Sequence, residues 1–93
     1  MSCKAEVTAF VHSPARIESR FDGRPFAKLA AREKHGRAWN VVAVEDAVRA
    51  AAMALRPGQR IRVVGVPSFR IDDSSHSPRM RLDLRADKIE VLG

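Results

Sequence analysis

The chain has 93 residues, 45% of them hydrophobic, with 17 Lys and Arg against 11 Asp and Glu and a formal net charge of +6. That length allows one domain with a modest core, and that apolar share excludes wholesale disorder. A single cysteine, Cys3, excludes an intramolecular disulfide, and no apolar run reaches the ~18 residues of a membrane span.

The first predicted strand is Ala5 to His12, with Ala5, Val7, Ala9 and Val11 on one face at period two. Ser13-Pro14 then interrupts pairing, because proline donates no hydrogen bond. Asp22-Gly23 is a hairpin turn signal. The second predicted strand, Pro25 to Lys34, places Ala27, Leu29 and Ala31 on one face and Lys28, Arg32 and Lys34 on the other. A turn at His35-Gly36 leads into the third, Ala38 to Val44. There alternation sets Trp39, Val41 and Ala43 against Asn40, Val42 and Val44. Both sets are apolar beyond the first residues, so alternation alone leaves the tryptophan open between core and surface.

Glu45 to Leu55 reads as the one helix. Ala, Met, Leu and Arg favour it, and the acids Glu45 and Asp46 sit at the positive end of its dipole. Val48, Ala51, Ala52 and Leu55 form its buried stripe, and Pro57-Gly58 ends it. The fourth predicted strand is Arg60 to Val66, resuming through Ser68 to Ile71, with a bulge or bend at Gly65. A polar loop, Asp72 to Pro78, carries His76. The last strand starts at Arg79, with Met80, Leu82, Leu84 and Ala86 on one face and Arg79, Arg81, Asp83 and Arg85 on the other. It shifts phase near Asp87-Lys88 and closes with Ile89, Val91 and Leu92. The whole of 1–93 is expected to be one all-β domain with one helix. Its form is the OB-fold, a five-stranded Greek-key barrel with the helix between the third and fourth strands.

Thirteen of the 17 cations are arginine, whose planar fork of donors suits phosphate, although a GC-rich genome produces the same bias. Three segments then carry a resemblance. GRAWNVVAV, LRPGQRIRVVGV and LRADKIEVLG stand in the order and at the distances found in bacterial single-stranded DNA-binding proteins. The similarity runs from Ala5 to Leu92. It implies non-sequence-specific binding of single-stranded DNA in replication, recombination or repair, by a homodimer or homotetramer assembled through the first strand. It implies that Trp39 stacks a base and that His35 stands near a second aromatic position. Val44 replaces an aromatic, the position near Ile71 lacks one, the loop between the second and third strands is short, and the chain stops at Gly93 where the family carries an acidic tail. These departures bring in the tail-less primosomal replication protein N group of the same fold.

Single-strand binding requires cations that track phosphates and flat side chains on which bases stack. The candidates are Lys28, Arg32, Lys34, His35, Arg37 and Trp39 on the second and third strands. A second row comprises Arg62, Arg79, Arg81 and Arg85, interrupted by Asp83. Phe69 and Arg70 border the loop after the fourth strand, and Phe69 reads equally as a stacking platform and as core. Phe10, Phe21 and Phe26 read as core or interface. His12, His35 and His76 have no second ligand at metal spacing, there is no Gly-rich phosphate loop, and no nucleophile, base and acid converge. The expectation is therefore a binding protein rather than an enzyme, without cofactor or metal, located in the cytoplasm because the N-terminus lacks a signal-peptide layout. Replication or repair proteins are further expected partners. The alternative is a protein-interaction OB module of a replication-restart or mobile-element complex that touches DNA weakly. A third reading is an RNA- or tRNA-binding OB domain.

Overall fold

A computed structural model describes residues 3–72 and 79–93. Six strands and one helix follow in the order β1 (Ala5–Val11), β2 (Arg16–Ser19), β3 (Pro25–Arg32), β4 (Ala38–Ala43), α1 (Asp46–Met53), β5 (Arg60–Asp72) and β6 (Arg79–Val91). The sheet runs β1-β5-β6-β4-β3-β2 and is closed by pairing of β1 with β3 at Phe10↔Arg32 and Val11↔Ala31. Five strands thus form the expected barrel, and the helix lies between the third and fourth of them.

The sixth strand is an addition to the expected set. β2 pairs with the first half of β3, from Arg16↔Lys28 to Ser19↔Pro25, while β1 takes the end of the same edge. Ser13-Pro14 separates the two, so one edge of β3 is shared between two short strands. All four β2 residues are exposed, so alternation could not mark it. Both hairpins that lead into and out of β3 turn through three residues. In one, the Gly23 N–H donates to Arg20 O at 2.8 Å and the Arg20 N–H to Arg24 O at 2.9 Å. In the other, the Gly36 N–H donates to Glu33 O at 3.2 Å and the Glu33 N–H to Arg37 O at 2.8 Å. Both glycines have positive φ, 84° and 119°, as this turn geometry requires.

β5 and β6 are long, pairing from Ile61↔Val91 to Asp72↔Arg79. The phase shift expected near Asp87 is a bulge: Val64 faces Lys88 and Gly65 faces Ala86, leaving Asp87 as the extra residue. The β6 backbone presses onto Gly65 here. A Cβ on Gly65 would overlap the Arg85 carbonyl oxygen and stand 2.8 Å from the Arg85 carbonyl carbon, so no side chain fits.

The core is made of small and branched residues from alternate positions: Val7, Ala9 and Val11 of β1, Ala27, Leu29 and Ala31 of β3, Val41 and Ala43 of β4, Ile61 and Val63 of β5, and Leu84 and Ala86 of β6. α1 is shorter than expected at its C-terminal end, because the chain leaves helical pairing at Ala54 ahead of Pro57. Val48, Ala52 and Leu55 still close one end of the barrel, and Ala51 is only half-buried.

Trp39 belongs to this core. Its parity is that of Val41 and Ala43, and it lies between Ala31 of β3 and Leu82 of β6. The side chain is 6% exposed, and the indole N–H donates to Glu33 Oε2 at 3.2 Å at the rim. The expectation that Trp39 offers a face to a base is therefore corrected. Packing of Val41 and Ala43 into the barrel carries the residue two positions before them inward as well. The three phenylalanines read as core or interface are also corrected in their core reading. Phe10 and Phe21 are exposed, and Phe26 is half-buried on the outer face of β3.

Candidate nucleic-acid interface

The strand parities that fill the core also decide which side chains face outward across β3, β4, β6 and β5. Lys28 of β3 lies beside Val42 of β4, which lies beside Arg85 of β6, which lies beside Val66 of β5. One step along, Ala30, Asn40, Asp83 and Ser68 form the next row, and Arg70 pairs with Arg81 beyond it. Lys28 and Arg85 are two strands apart, roughly 10 Å. Between them lie an apolar side chain and open space.

This outer face is concave. An open groove of about 440 Å³ is lined by Lys28, Arg85 and Arg70, by Phe26, Val42, Val44 and Ser68, by Asp83, and at its rim by Arg20. Four cations against one carboxylate make it strongly electropositive, and Phe26, Val42 and Val44 give it an apolar floor. The carboxylate is engaged: Arg70 Nε donates to Asp83 Oδ2 at 2.6 Å. Asp83 thus offsets the like charges of Arg70 and Arg81, which stand opposite each other across β5 and β6.

The expected site residues divide accordingly. Lys28 and Arg70 line the groove. Arg32 and Arg81 share its outward face by strand parity, and both are exposed. Lys34, His35 and Arg37 lie on the exposed β3–β4 turn beyond Arg32 and are not brought to the groove. Phe69 is 66% exposed and opposite Leu82, on the inward-parity face of the β5–β6 arm where the arm runs past the barrel. Its core reading is thereby corrected. Arg79 pairs with Asp72 at the end of that arm, and its side chain lies outside the described residues, as does the whole of His76.

Arg62 is a correction. It sits on the β1–β5–β6 wall, donating to Glu90 Oε2 at 2.6 Å with Glu6 Oε1 3.5 Å away. The hydrogen bond and the charge of Arg62 hold the Glu90 carboxyl below its ordinary pKa, and Glu90 in turn raises that of Arg62. A guanidinium held by two carboxylates away from the groove is not a phosphate contact. Arg20 and Phe26 were missed as groove residues. Phe26 shares parity with Lys28, which was the available signal; Arg20 follows the unrecognised β2 and had none. Among the described residues no group of three or more His, Cys, Asp or Glu is placed to hold a metal ion.

No protein-family model matches the chain, and no curated protein matches it either. Solved structures do. A small single-stranded DNA-binding protein from Streptomyces coelicolor superposes with a TM-score of 0.80 at 17% identity, over 97% of this chain and 94% of that one. The chain has the OB-fold of that protein. The same OB-fold recurs in the mitochondrial single-stranded DNA-binding protein of S. cerevisiae, with TM-score 0.74, 13% identity, and 99% and 97% of the two chains covered. It recurs again in the Plasmodium falciparum SSB in complex with ssDNA, with TM-score 0.72, 15% identity, and 100% and 96% covered. Within the OB-fold the groove lies on the outer face of β3 and β4, the face by which such barrels bind oligonucleotides.

Proposed function

We propose that this protein is a non-catalytic single-stranded DNA-binding protein that holds its ligand in the outer groove without sequence preference, in replication, recombination or repair. The observation that carries the reading is the groove itself: Lys28, Arg85, Arg70 and Arg20 around an apolar floor, on a barrel whose structural neighbours bind single-stranded DNA. The four cations of the groove contact successive phosphates, and Arg32 and Arg81 lie beyond the row of Ala30, Asn40 and Asp83, at one end of the track. The half-buried ring of Phe26 supplies a flat surface in the groove, whereas Phe69, in the same cross-strand row as Trp39, faces away from it. Both faces of a base are apolar and every base has one, so this chemistry accepts any sequence.

Self-association belongs to the same reading. Among the described residues, Ala5 to Ala9 of β1 pair with β5 on one side and have no strand on the other. An open edge of this kind pairs with a second copy. The described helix α1 is not long and apolar enough to cross a membrane, and the free Cys3 is in keeping with the reducing conditions of the cytoplasm.

The test is anisotropy of labelled oligo-dT across salt, with oligo-U and a folded RNA beside it. Four phosphate contacts give a log–log salt slope of about −3 for a single strand. Saturable binding at low salt with that slope and a preference for oligo-dT supports the proposal. Preference for the folded RNA, or no binding at high micromolar concentration, refutes it. Light scattering tests the β1 pairing, which a monomer at every concentration would exclude.

A further inference from the structure

We infer that Phe21, at the tip of the β2–β3 hairpin, is a stacking finger that extends the groove past Arg20 and caps a bound single strand with a ring–base stack. The inference rests on the proposed single-strand binding and names a residue for it.

Phe21 is 102% exposed, the most exposed of the large apolar side chains among the described residues. A ring left wholly in water adds nothing to folding, and since single exposed apolar residues are common on protein surfaces, it is the cationic setting of this one that gives it a role. The turn that presents it is firmly built. The Gly23 N–H donates to Arg20 O, the Arg20 N–H to Arg24 O, and the Arg24 N–H to Asp22 Oδ1 at 3.1 Å. The ring therefore stands on a defined stem.

The surroundings select the occupant. Arg20 and Arg24 close the turn that carries the ring, and Arg16 pairs with Lys28 across β2 and β3. The acids of the hairpin are Glu18 and Asp22, and Asp22 is taken up by the turn, its carboxylate also 3.9 Å from Arg20 Nε. Arg20 lines the groove together with Lys28 and Arg85. A flat apolar ring set among cations at the end of a cationic groove matches a base with its phosphates. It is a poor match for an apolar protein surface, which would have to desolvate those guanidinium groups.

The experiment compares the full chain with Phe21→Ala and Phe21→Trp, the latter in a Trp39→Phe background. Phe21→Ala is expected to weaken oligo-dT binding roughly 5- to 150-fold, the range of one stacked base. The salt slope stays unchanged because no charge is removed. Its melting temperature is expected to match the parent, because the ring has no folded contacts to lose. Phe21→Trp is expected to retain affinity, with emission quenched on addition of oligo-dT. Parent affinity in Phe21→Ala, while Lys28→Ala/Arg85→Ala loses binding, overturns the finger and leaves the groove standing. A change only in oligomeric state makes the ring a protein contact and also overturns it. Failure of the unaltered chain to bind any single strand removes the groove reading, and the finger with it.

Discussion

Replacing Trp39 by phenylalanine separates a core tryptophan from a stacking one. The indole N–H bond to Glu33, 3.2 Å long and part-buried, contributes about 0.5–1.5 kcal/mol. The ring is 6% exposed, and phenylalanine fills about 40 Å² less of the same space, worth about 1 kcal/mol at ~25 cal/mol/Å². The expected loss is about 1.5–2.5 kcal/mol. At about 4–8 °C per kcal/mol for a domain of this size, the melting temperature falls by roughly 6–20 °C in circular dichroism. Affinity of the folded variant for oligo-dT at 10 °C is expected to change less than about twofold, because the ring lies behind the sheet from the groove. Trp39 is the only tryptophan. Its emission in the unaltered protein is therefore expected to be blue-shifted, poorly quenched by acrylamide and little altered by oligo-dT. An unchanged melting temperature with a tenfold loss of affinity would refute the reasoning and return the ring to the surface.

Three further outcomes follow from the same geometry. Lys28→Ala with Arg85→Ala removes two phosphate contacts, so the salt slope should flatten by about 1.4 while the melting temperature holds; an unchanged slope places the ligand elsewhere. Gly65→Ala drives a methyl group into the β6 backbone at the bulge, costing about 1–3 kcal/mol as overpacking does, with a melting temperature lower by at least about 4 °C. A variant as stable as the parent would contradict the close approach there. The Glu90 carboxyl is held below its ordinary pKa by Arg62, so the pair stabilises the fold above the ordinary carboxylate pKa of about 4.3. That contribution is lost as pH falls through the lower folded value. Glu90→Gln should flatten the acid limb of stability in urea titrations below pH 4.3. The change should be small, since both partners are exposed and screened.

How much of this was legible beforehand varies from strand to strand. In β3, charged residues alternate with Ala27, Leu29 and Ala31, so the outward position of Lys28 and Arg32 could be read directly. The bulge at Gly65 and the phase shift at Asp87 were likewise written in the break of alternation, and the structure joins them as one feature. β2 was not legible: four exposed residues paired on one side carry no period, and Arg20 was missed along with it. Phe26 was misjudged because an aromatic among small residues reads as core, although its parity with Lys28 pointed outward.

The sequence by itself determined the five barrel strands with the helix between the third and fourth, and the excess of positive charge, because strand alternation, the helix stop at Pro57-Gly58 and net charge are local or additive properties. Only the tertiary structure decided which face of β4 is inside. Both of its faces are apolar, and it takes contact with Leu29 of β3 and Leu84 of β6 to turn Val41, and Trp39 with it, inward. Pairing across the barrel also sent Arg62 to Glu6 and Glu90 on one wall and Arg85 to Lys28 on another, a division among arginines that a single chain of letters does not express.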